Sequence, residues 1–134
     1  MEDSIFTKII KGEIPCHKIY EDEYTLAFLD INPIQTGHVL VVPKKQVAFI
    51  WDMEESDYQY LMSTVQKVGR RIREIFPEKA RVGVMIEGLE ASNHAHVKIF
   101  PFSTGPEYRH LPDADSSPGD EKLASIADKL RFDD

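Results

Sequence analysis

The stretch His94-Ala95-His96-Val97-Lys98-Ile99-Phe100-Pro101 decides how the rest of the chain is interpreted. Polar and apolar residues alternate along it, and this period of two predicts a β-strand with one buried and one accessible face. On such a strand His94, His96 and Lys98 project from the same face. A neutral imidazole can attack phosphorus as a nucleophile. The row of basic side chains indicates an anionic ligand opposite it, and the alternative is a solvated strand with two incidental histidines.

The overall composition excludes several classes of protein. A chain of 134 residues with 42% hydrophobic and 29% charged residues is typical of one globular domain. The net charge of −7 argues against non-specific nucleic-acid binding, although a local cationic strand can still hold a small nucleotide. The single cysteine, Cys16, cannot form an internal disulfide and indicates a reducing compartment. No apolar run is long enough to span a membrane and no signal-peptide pattern is present, so we expect a cytoplasmic protein.

Three blocks of sequence in a fixed order carry a resemblance to a known family. Phe28-Leu29-Asp30-Ile31-Asn32-Pro33 comes first, Gly37-His38-Val39-Leu40-Val41-Val42-Pro43-Lys44-Lys45 second and the strand at 94–101 third. In this order they resemble the histidine triad (HIT) family of nucleotide-binding proteins, whose pattern is His-φ-His-φ-His-φ-φ with φ apolar. The chain matches that pattern at His94, Ala95, His96, Val97, Ile99 and Phe100. It departs at Lys98, where the family has its third histidine. The resemblance extends from about residue 4 to residue 101.

The expected fold is α+β and HIT-like, with a mainly antiparallel sheet of about five strands, one long helix and short terminal helices. Apolar residues at spacings of three and four predict the long helix over 53–76. We expect a HIT-like domain over 1–102 and a C-terminal extension over 103–134. Residues 103–119, rich in Pro, Gly, Ser and Asp, predict a connector, and a capping box beginning at Ser117 predicts a short helix after it. The remaining segments predict a helix over 4–12 and strands over 17–21, 24–29, 38–42 and 80–87.

The resemblance assigns roles to the basic residues of the triad strand. It implies that His96 attacks the phosphorus joined to the nucleoside and forms a nucleotidyl-histidine, which water then hydrolyses. It implies that His94 positions the site or polarises phosphate oxygens. Lys98 can stabilise negative charge, but lysine is a poor proton donor near neutral pH. We therefore expect the replacement of histidine by Lys98 to slow the reaction most for substrates with an amine leaving group. Substrates whose leaving group is a stable anion, such as pyrophosphate or ADP, should be slowed less.

The resemblance also implies a set of binding residues. Asp30 would take both hydrogens of a ribose diol, and its alternative role is to cap the following turn. His38 would orient the triad, and its alternative role is that of a structural histidine with a satisfied hydrogen bond. Ser92 and Asn93 are the residues left in the preceding loop to hold phosphate. The apolar side chains expected around the base are Phe6, Phe28, Leu29, Ile31 and Leu40.

No metal and no cofactor are expected. Related family members often bind zinc through a Cys-x-x-Cys at the positions of Ser4 and Thr7 and a histidine at the position of Gln46. Serine, threonine and glutamine are poor zinc ligands, so we expect no structural zinc. Cys16 is expected to be a small, buried or half-buried residue, because no second thiol accompanies it.

Two functions of different classes follow from the resemblance. The first is a hydrolase that cleaves a nucleoside phosphoramidate or a dinucleoside polyphosphate through His96. The second is a nucleotide-binding module with little or no turnover, because Lys98 replaces the third histidine. A purely structural or partner-binding protein is the third possibility, and the presence of His94, His96, His38 and Asp30 favours the enzyme over it. The resemblance implies a purine nucleotide or nucleotide conjugate as ligand and a homodimer. The net charge and the lack of a long apolar run predict neither nucleic acid nor membrane as partner.

Overall fold

The computed structural model describes residues 2–88, 93–112 and 117–132, which form a sheet with helices on both faces. The strands are β1 (Lys18–Glu21), β2 (Thr25–Leu29), β3 (Val39–Pro43), β4 (Arg81–Met85) and β5 (Val97–Phe102). The helices are α1 (Ile5–Ile10), α2 (Glu55–Ile75), α3 (Gly105–Tyr108) and α4 (Asp120–Leu130), with a short 3₁₀ turn at Ile50–Asp52. Within these three ranges no helix has the length and apolar character needed to cross a bilayer.

The five strands follow the order β1-β2-β3-β5-β4, and every neighbouring pair is antiparallel. The expected α+β fold with a five-stranded antiparallel sheet is therefore confirmed. β3 lies in the middle and is buried along its whole length, as its run of apolar residues requires. Phe28 pairs with Leu40, and Leu40 pairs with Lys98. This register places the three side chains in one row across a single face of the sheet.

The two faces of the sheet carry two separate apolar cores. The larger core lies between the sheet and α2, whose buried residues Leu61, Val65, Val68 and Ile72 repeat at helical spacing. The smaller core lies under α1 on the other face, where Phe6, Ile9, Ile10 and half-buried Cys16 pack against Leu26, Phe28, Leu40 and Val42. The row containing Lys98 therefore shares its face with α1.

The triad strand begins three residues later than the alternation predicts. β5 starts at Val97 and not at His94. The N–H of Ala95 donates a 2.7 Å hydrogen bond to the carbonyl of Val47, so the approach to β5 is bonded to the segment after β3. His94 consequently lies outside the strand ladder. The alternation still holds from His96 onward, because Val97 and Ile99 belong to the large core.

The C-terminal residues fold onto the same core as the sheet. Leu123, Ile126, Ala127 and Leu130 of α4 are buried with the α2 residues. The guanidinium of Arg71 on α2 donates to the carbonyls of Lys129 and Leu130 at the end of α4. The connector contains α3, which the sequence did not predict and which Thr104 caps through its side chain. α4 follows Gly119, whose φ is 92°, so the expected capping box at Ser117 is absent.

Candidate functional site

The candidate site lies on the α1 face of the sheet, where an aromatic side chain from α1 covers the end of the triad strand. The ring of Phe6 lies 5.1 Å from the ring of His96, 5.7 Å from that of His94 and 5.8 Å from that of Phe28. Phe28 and Leu40 are buried beneath it in the small core. An apolar floor therefore adjoins His96.

Backbone hydrogen bonding fixes the tautomer of His96. Its Nδ1 lies 3.0 Å from the carbonyl oxygen of His94. A carbonyl can only accept, so Nδ1 carries the proton, and in the neutral imidazole Nε2 is the basic nitrogen. The half-buried ring thus has the protonation pattern that a nitrogen nucleophile needs.

The side chain of His94 is turned into the protein, where it is 1% exposed. Its Nε2 donates to the carbonyl of Pro43 at 2.7 Å, and its Nδ1 accepts from the hydroxyl of Ser4 at 2.7 Å. Burial lowers the pKa of His94, which keeps the ring neutral. Both nitrogens are therefore engaged with protein atoms. Of the two roles expected for His94, this placement favours the one in which it positions the site over the one in which it polarises phosphate oxygens.

A polar network surrounds His94 at the start of α1. The family resemblance places the zinc ligands of related proteins at these positions. Gln46 Oε1 accepts from the Ser4 N–H at 2.8 Å and from the Thr7 hydroxyl at 2.7 Å. Within the described ranges, no three His, Cys, Asp or Glu side chains form a group that could hold a metal ion. The network gives Ser4, Thr7 and Gln46 hydrogen-bonding partners, and the expected lack of zinc remains a prediction.

Asp30 and His38 form a second polar pair at the end of β2. The N–H of Ile34 donates to His38 Nδ1 at 3.0 Å, so the proton of His38 lies on Nε2, which is 3.7 Å from Asp30 Oδ2. Burial lowers the pKa of His38 to about 3, with Lys98 and His96 adding to the effect. The pair is therefore a neutral imidazole facing a carboxyl group, not an ion pair. Asp30 Oδ1 also accepts from the Asn32 N–H at 2.9 Å, which is the turn-capping role considered as an alternative.

Lys98 forms an ion pair with Glu87, a residue that the sequence analysis did not assign to the site. Their side chains are 16% and 30% exposed. Burial raises the pKa of Asp30, while Lys98 and His96 lower it and Glu87 raises it. These influences show that the four groups share one electrostatic environment. The register of β4 brings Glu87 to this position, because Met85 pairs with Lys98 and Glu87 follows two residues later, and no local sequence pattern predicts that register.

A cavity of about 250 Å³ opens beside His96. Its walls come from the segment after β3 and from the end of β4, and its rim includes the exposed side chain of Trp51. These walls are not among the site residues expected from the sequence. The lining residues are Ala48, Phe49, Ile50, Trp51, Ile86, Glu87, Gly88, His94, Ala95 and His96.

The structure separates the remaining expected site residues. Leu29 is buried in the large core on the face opposite Phe28, because neighbouring side chains of a strand alternate. Ile31 is 56% exposed and lines a groove with residues of α4. Asn93 is exposed, with a φ of 50°. Ser92 lies outside the described residues.

Comparison with known proteins identifies relatives of this chain in sequence and in structure. The model of the HIT domain matches residues 11–116. The "Protein hit" of Bacillus subtilis is 37% identical over 103 residues, which cover 75% of this chain and 71% of that protein. The adenosine 5′-monophosphoramidase of Schizosaccharomyces pombe is 38% identical over 100 residues, which cover 72% of each chain. The crystal structure of a Hit-like protein involved in cell-cycle regulation from Bartonella henselae has a TM-score of 0.83 and 31% identity, with 96% of this chain and 93% of that chain covered. The domain match and these identities show that this chain belongs to the histidine triad family.

Proposed function

We propose that the protein is a nucleotide hydrolase that cleaves a nucleoside phosphoramidate or a dinucleoside polyphosphate through a nucleotidyl-histidine at His96. The observation that carries the proposal is the hydrogen bond from His96 Nδ1 to the carbonyl of His94, which leaves Nε2 as the basic nitrogen. The phosphoramidase activity named for the relative from Schizosaccharomyces pombe supports the choice of reaction.

The reaction has two displacement steps at phosphorus. In the first, Nε2 of His96 forms a bond to the phosphorus joined to the nucleoside, and the bond to the leaving group breaks with its electron pair. In the second, the oxygen of a water molecule forms a bond to phosphorus, the nitrogen–phosphorus bond breaks, and the water proton passes to the medium. The product is a nucleoside monophosphate, and His96 returns to its neutral state.

The surrounding residues supply binding and orientation. Asp30 accepts the hydroxyl groups of the ribose, and half-buried Phe6, which packs over the buried side chains of Phe28 and Leu40, provides an apolar surface for a purine base. His38 lies beside Asp30, with its Nε2 3.7 Å from Asp30 Oδ2, and the resemblance implies that it orients the triad. His94 supplies the carbonyl that orients His96. Asn93 and Ser92 remain proposed phosphate contacts on the basis of the family resemblance alone.

The test is covalent capture at His96. Incubation with an adenosine phosphoramidate, rapid acid quenching under conditions that preserve a phosphorus–nitrogen bond and intact-mass measurement should show one added adenylyl group. His96→Ala should abolish the adduct and retain nucleotide binding, because Asp30 and the apolar floor remain. His110→Ala, which replaces an exposed histidine, is the matched control and should form the adduct normally. An adduct that persists in His96→Ala would remove this residue from its assigned role.

A second candidate function is a nucleotide-binding module with little turnover. The observation that favours it is the ion pair of Lys98 with Glu87, because a paired ammonium is not a replacement for the family's third histidine. Repeated turnover of a fluorescent adenosine phosphoramidate separates the two functions. The hydrolase releases many equivalents of product, whereas the binding module binds nucleotide and releases at most one.

A further inference from the structure

We propose that Glu87 selects substrates by the charge of their leaving group, favouring departing amines and disfavouring anions such as ADP. This inference rests on the proposed function, because it concerns the group that leaves when His96 attacks. It assigns a specificity role to a residue outside the histidine pattern.

The ion pair between Glu87 and Lys98 is the first observation behind this role. Lys98 occupies the position of the third triad residue, and its ammonium is the cation expected to attract phosphate there. The Glu87 carboxylate pairs with that ammonium and offsets its charge. Position 98 therefore offers an incoming anion a neutral pair and not an isolated cation.

The second observation is the location of Glu87 on the wall of the cavity beside His96. Asp30 belongs to the same electrostatic environment, since Lys98, His96 and Glu87 all act on it. The Glu87 carboxylate on this wall makes the cavity less favourable for negative charge. A leaving group that gains negative charge in this environment is repelled, and one that gains positive charge is attracted.

The two leaving-group classes differ in their charge balance. When a phosphorus–nitrogen bond breaks, its electron pair goes to the amine nitrogen, which takes up a proton from the medium and departs neutral or as an ammonium ion. When a dinucleoside polyphosphate is cleaved, the electron pair goes to a phosphate oxygen and ADP departs as a multiply charged anion. The Glu87 carboxylate assists the first departure and opposes the second.

Glu87 changes the leaving-group preference that is expected from Lys98 alone. An isolated lysine at position 98 favours anionic leaving groups, because it stabilises negative charge but donates protons poorly. With Glu87 beside it, that advantage is offset. The side chain at position 87 therefore decides which of the two proposed substrate classes is preferred.

The experiment compares Glu87→Gln with the wild-type protein on two substrates. One is adenosine 5′-phosphoramidate, and the other is diadenosine triphosphate, from which ADP departs. The variant should raise the ratio of kcat/KM for the triphosphate over the phosphoramidate by about tenfold or more, since a neighbouring like charge has been removed. Glu78→Gln makes the same charge change at an exposed position and should leave the ratio unchanged. An equal ratio in wild type and Glu87→Gln would overturn the role of Glu87.

A binding measurement separates this inference from the proposed function. If the wild-type protein hydrolyses neither substrate, the proposed function fails, but the charge effect is still measurable with AMP and ATP. Glu87→Gln should then tighten ATP binding relative to AMP by about tenfold, because ATP extends more negative charge from the same nucleoside. An unchanged affinity ratio for the two nucleotides would overturn the inference in that case as well.

Discussion

His94 and His96 differ in tautomer because two backbone carbonyls assign their protons. Pro43 accepts from Nε2 of His94, and His94 itself accepts from Nδ1 of His96. The basic nitrogen of His94 is consequently Nδ1, which faces the Ser4 hydroxyl inside the protein. The basic nitrogen of His96 is Nε2. Two identical side chains thus present different ring nitrogens as the basic one, and for His96 this is the nitrogen that the proposed mechanism uses.

Lys98→His tests how far proton donation limits the reaction. A histidine at this position can donate a proton near neutral pH, and general acid catalysis is commonly worth about 10²–10⁴ in rate. We therefore expect phosphoramidate turnover to rise by about tenfold or more, as measured by steady-state kinetics. Lys122→His, an exposed change on α4, is the control. Unchanged turnover in a fully active wild type would show that Lys98 or another group already supplies the proton.

His38 makes the stability of the fold depend on pH. Its pKa is lowered to about 3 by burial, so between about 6.5 and 3 the unfolded chain binds a proton that the native protein does not. The free energy of unfolding should therefore decline as pH falls through this window, by an amount on the order of several kcal/mol. Urea denaturation at pH 7, 6, 5 and 4 measures the slope.

The matched variant for this pH dependence is His38→Gln. Its slope between pH 6.5 and 4 should be shallower than that of the wild type, whatever its stability at pH 7. Asp30 acts in the opposite sense, because burial raises its pKa and the native state then retains a proton that the unfolded chain has lost. An identical slope in the variant and the wild type would exclude His38 as the source.

At the scale of elements, α1 is held on the sheet by polar contacts as much as by its apolar side. None of the six residues of α1 is fully buried, although Phe6, Ile9 and Ile10 pack against the small core. Ser4 caps the helix by accepting from the Thr7 N–H at 2.9 Å, and the same hydroxyl bonds His94. The position of Phe6 over His96 thus depends on Ser4, which caps the helix and also bonds His94.

Ser4→Ala should consequently affect both stability and activity. It removes a helix cap and leaves Nδ1 of His94 without its hydroxyl donor, and losses of this kind cost about 1–3 kcal/mol. Chemical denaturation should show this decrease, and phosphoramidate kcat should fall more than nucleotide affinity because the apolar floor remains. Ser125→Ala, on the exposed side of α4, is the control. A variant with wild-type stability and kcat would show that the network does not support the site.

Local sequence patterns predicted which helices and strands form better than they predicted the residues at which these begin and end. The long helix and the five strands follow from period and composition, and α2 and β3 have the expected apolar faces. The start of β5 could not be read in this way, because it depends on the Ala95–Val47 hydrogen bond between distant segments. The interior position of His94 and the pairing of Glu87 with Lys98 also depend on contacts between segments that are distant in the sequence. The pattern therefore identified the residue types of the candidate site but not all their partners.

At the scale of the whole molecule, the two edges of the sheet are in different situations. The edge formed by β1 is partly covered by the C-terminal segment, since the Phe132 N–H donates to the Ile19 carbonyl and the Arg131 guanidinium donates to the Lys18 carbonyl. The edge formed by β4 pairs with β5 on one side, and on the other the Tyr108 hydroxyl bonds the Val84 carbonyl. Backbone groups of an edge strand that have no partner in the same chain are a template for pairing with another chain.

The final prediction is a homodimer, as the family resemblance implies, and we expect its two sheets to join through β4. The side chain of Val84 is 42% exposed in the single chain, and joining two sheets at this edge would cover it. Light scattering at micromolar concentration should give the mass of two chains. Val84→Lys should shift the protein toward monomer, because pairing would bring two lysine side chains together in a partly buried contact. Leu111→Lys, at a side chain that is 85% exposed and outside the sheet, should remain dimeric. A monomeric wild type would exclude the dimer, whereas a dimer that survives Val84→Lys would place its interface elsewhere.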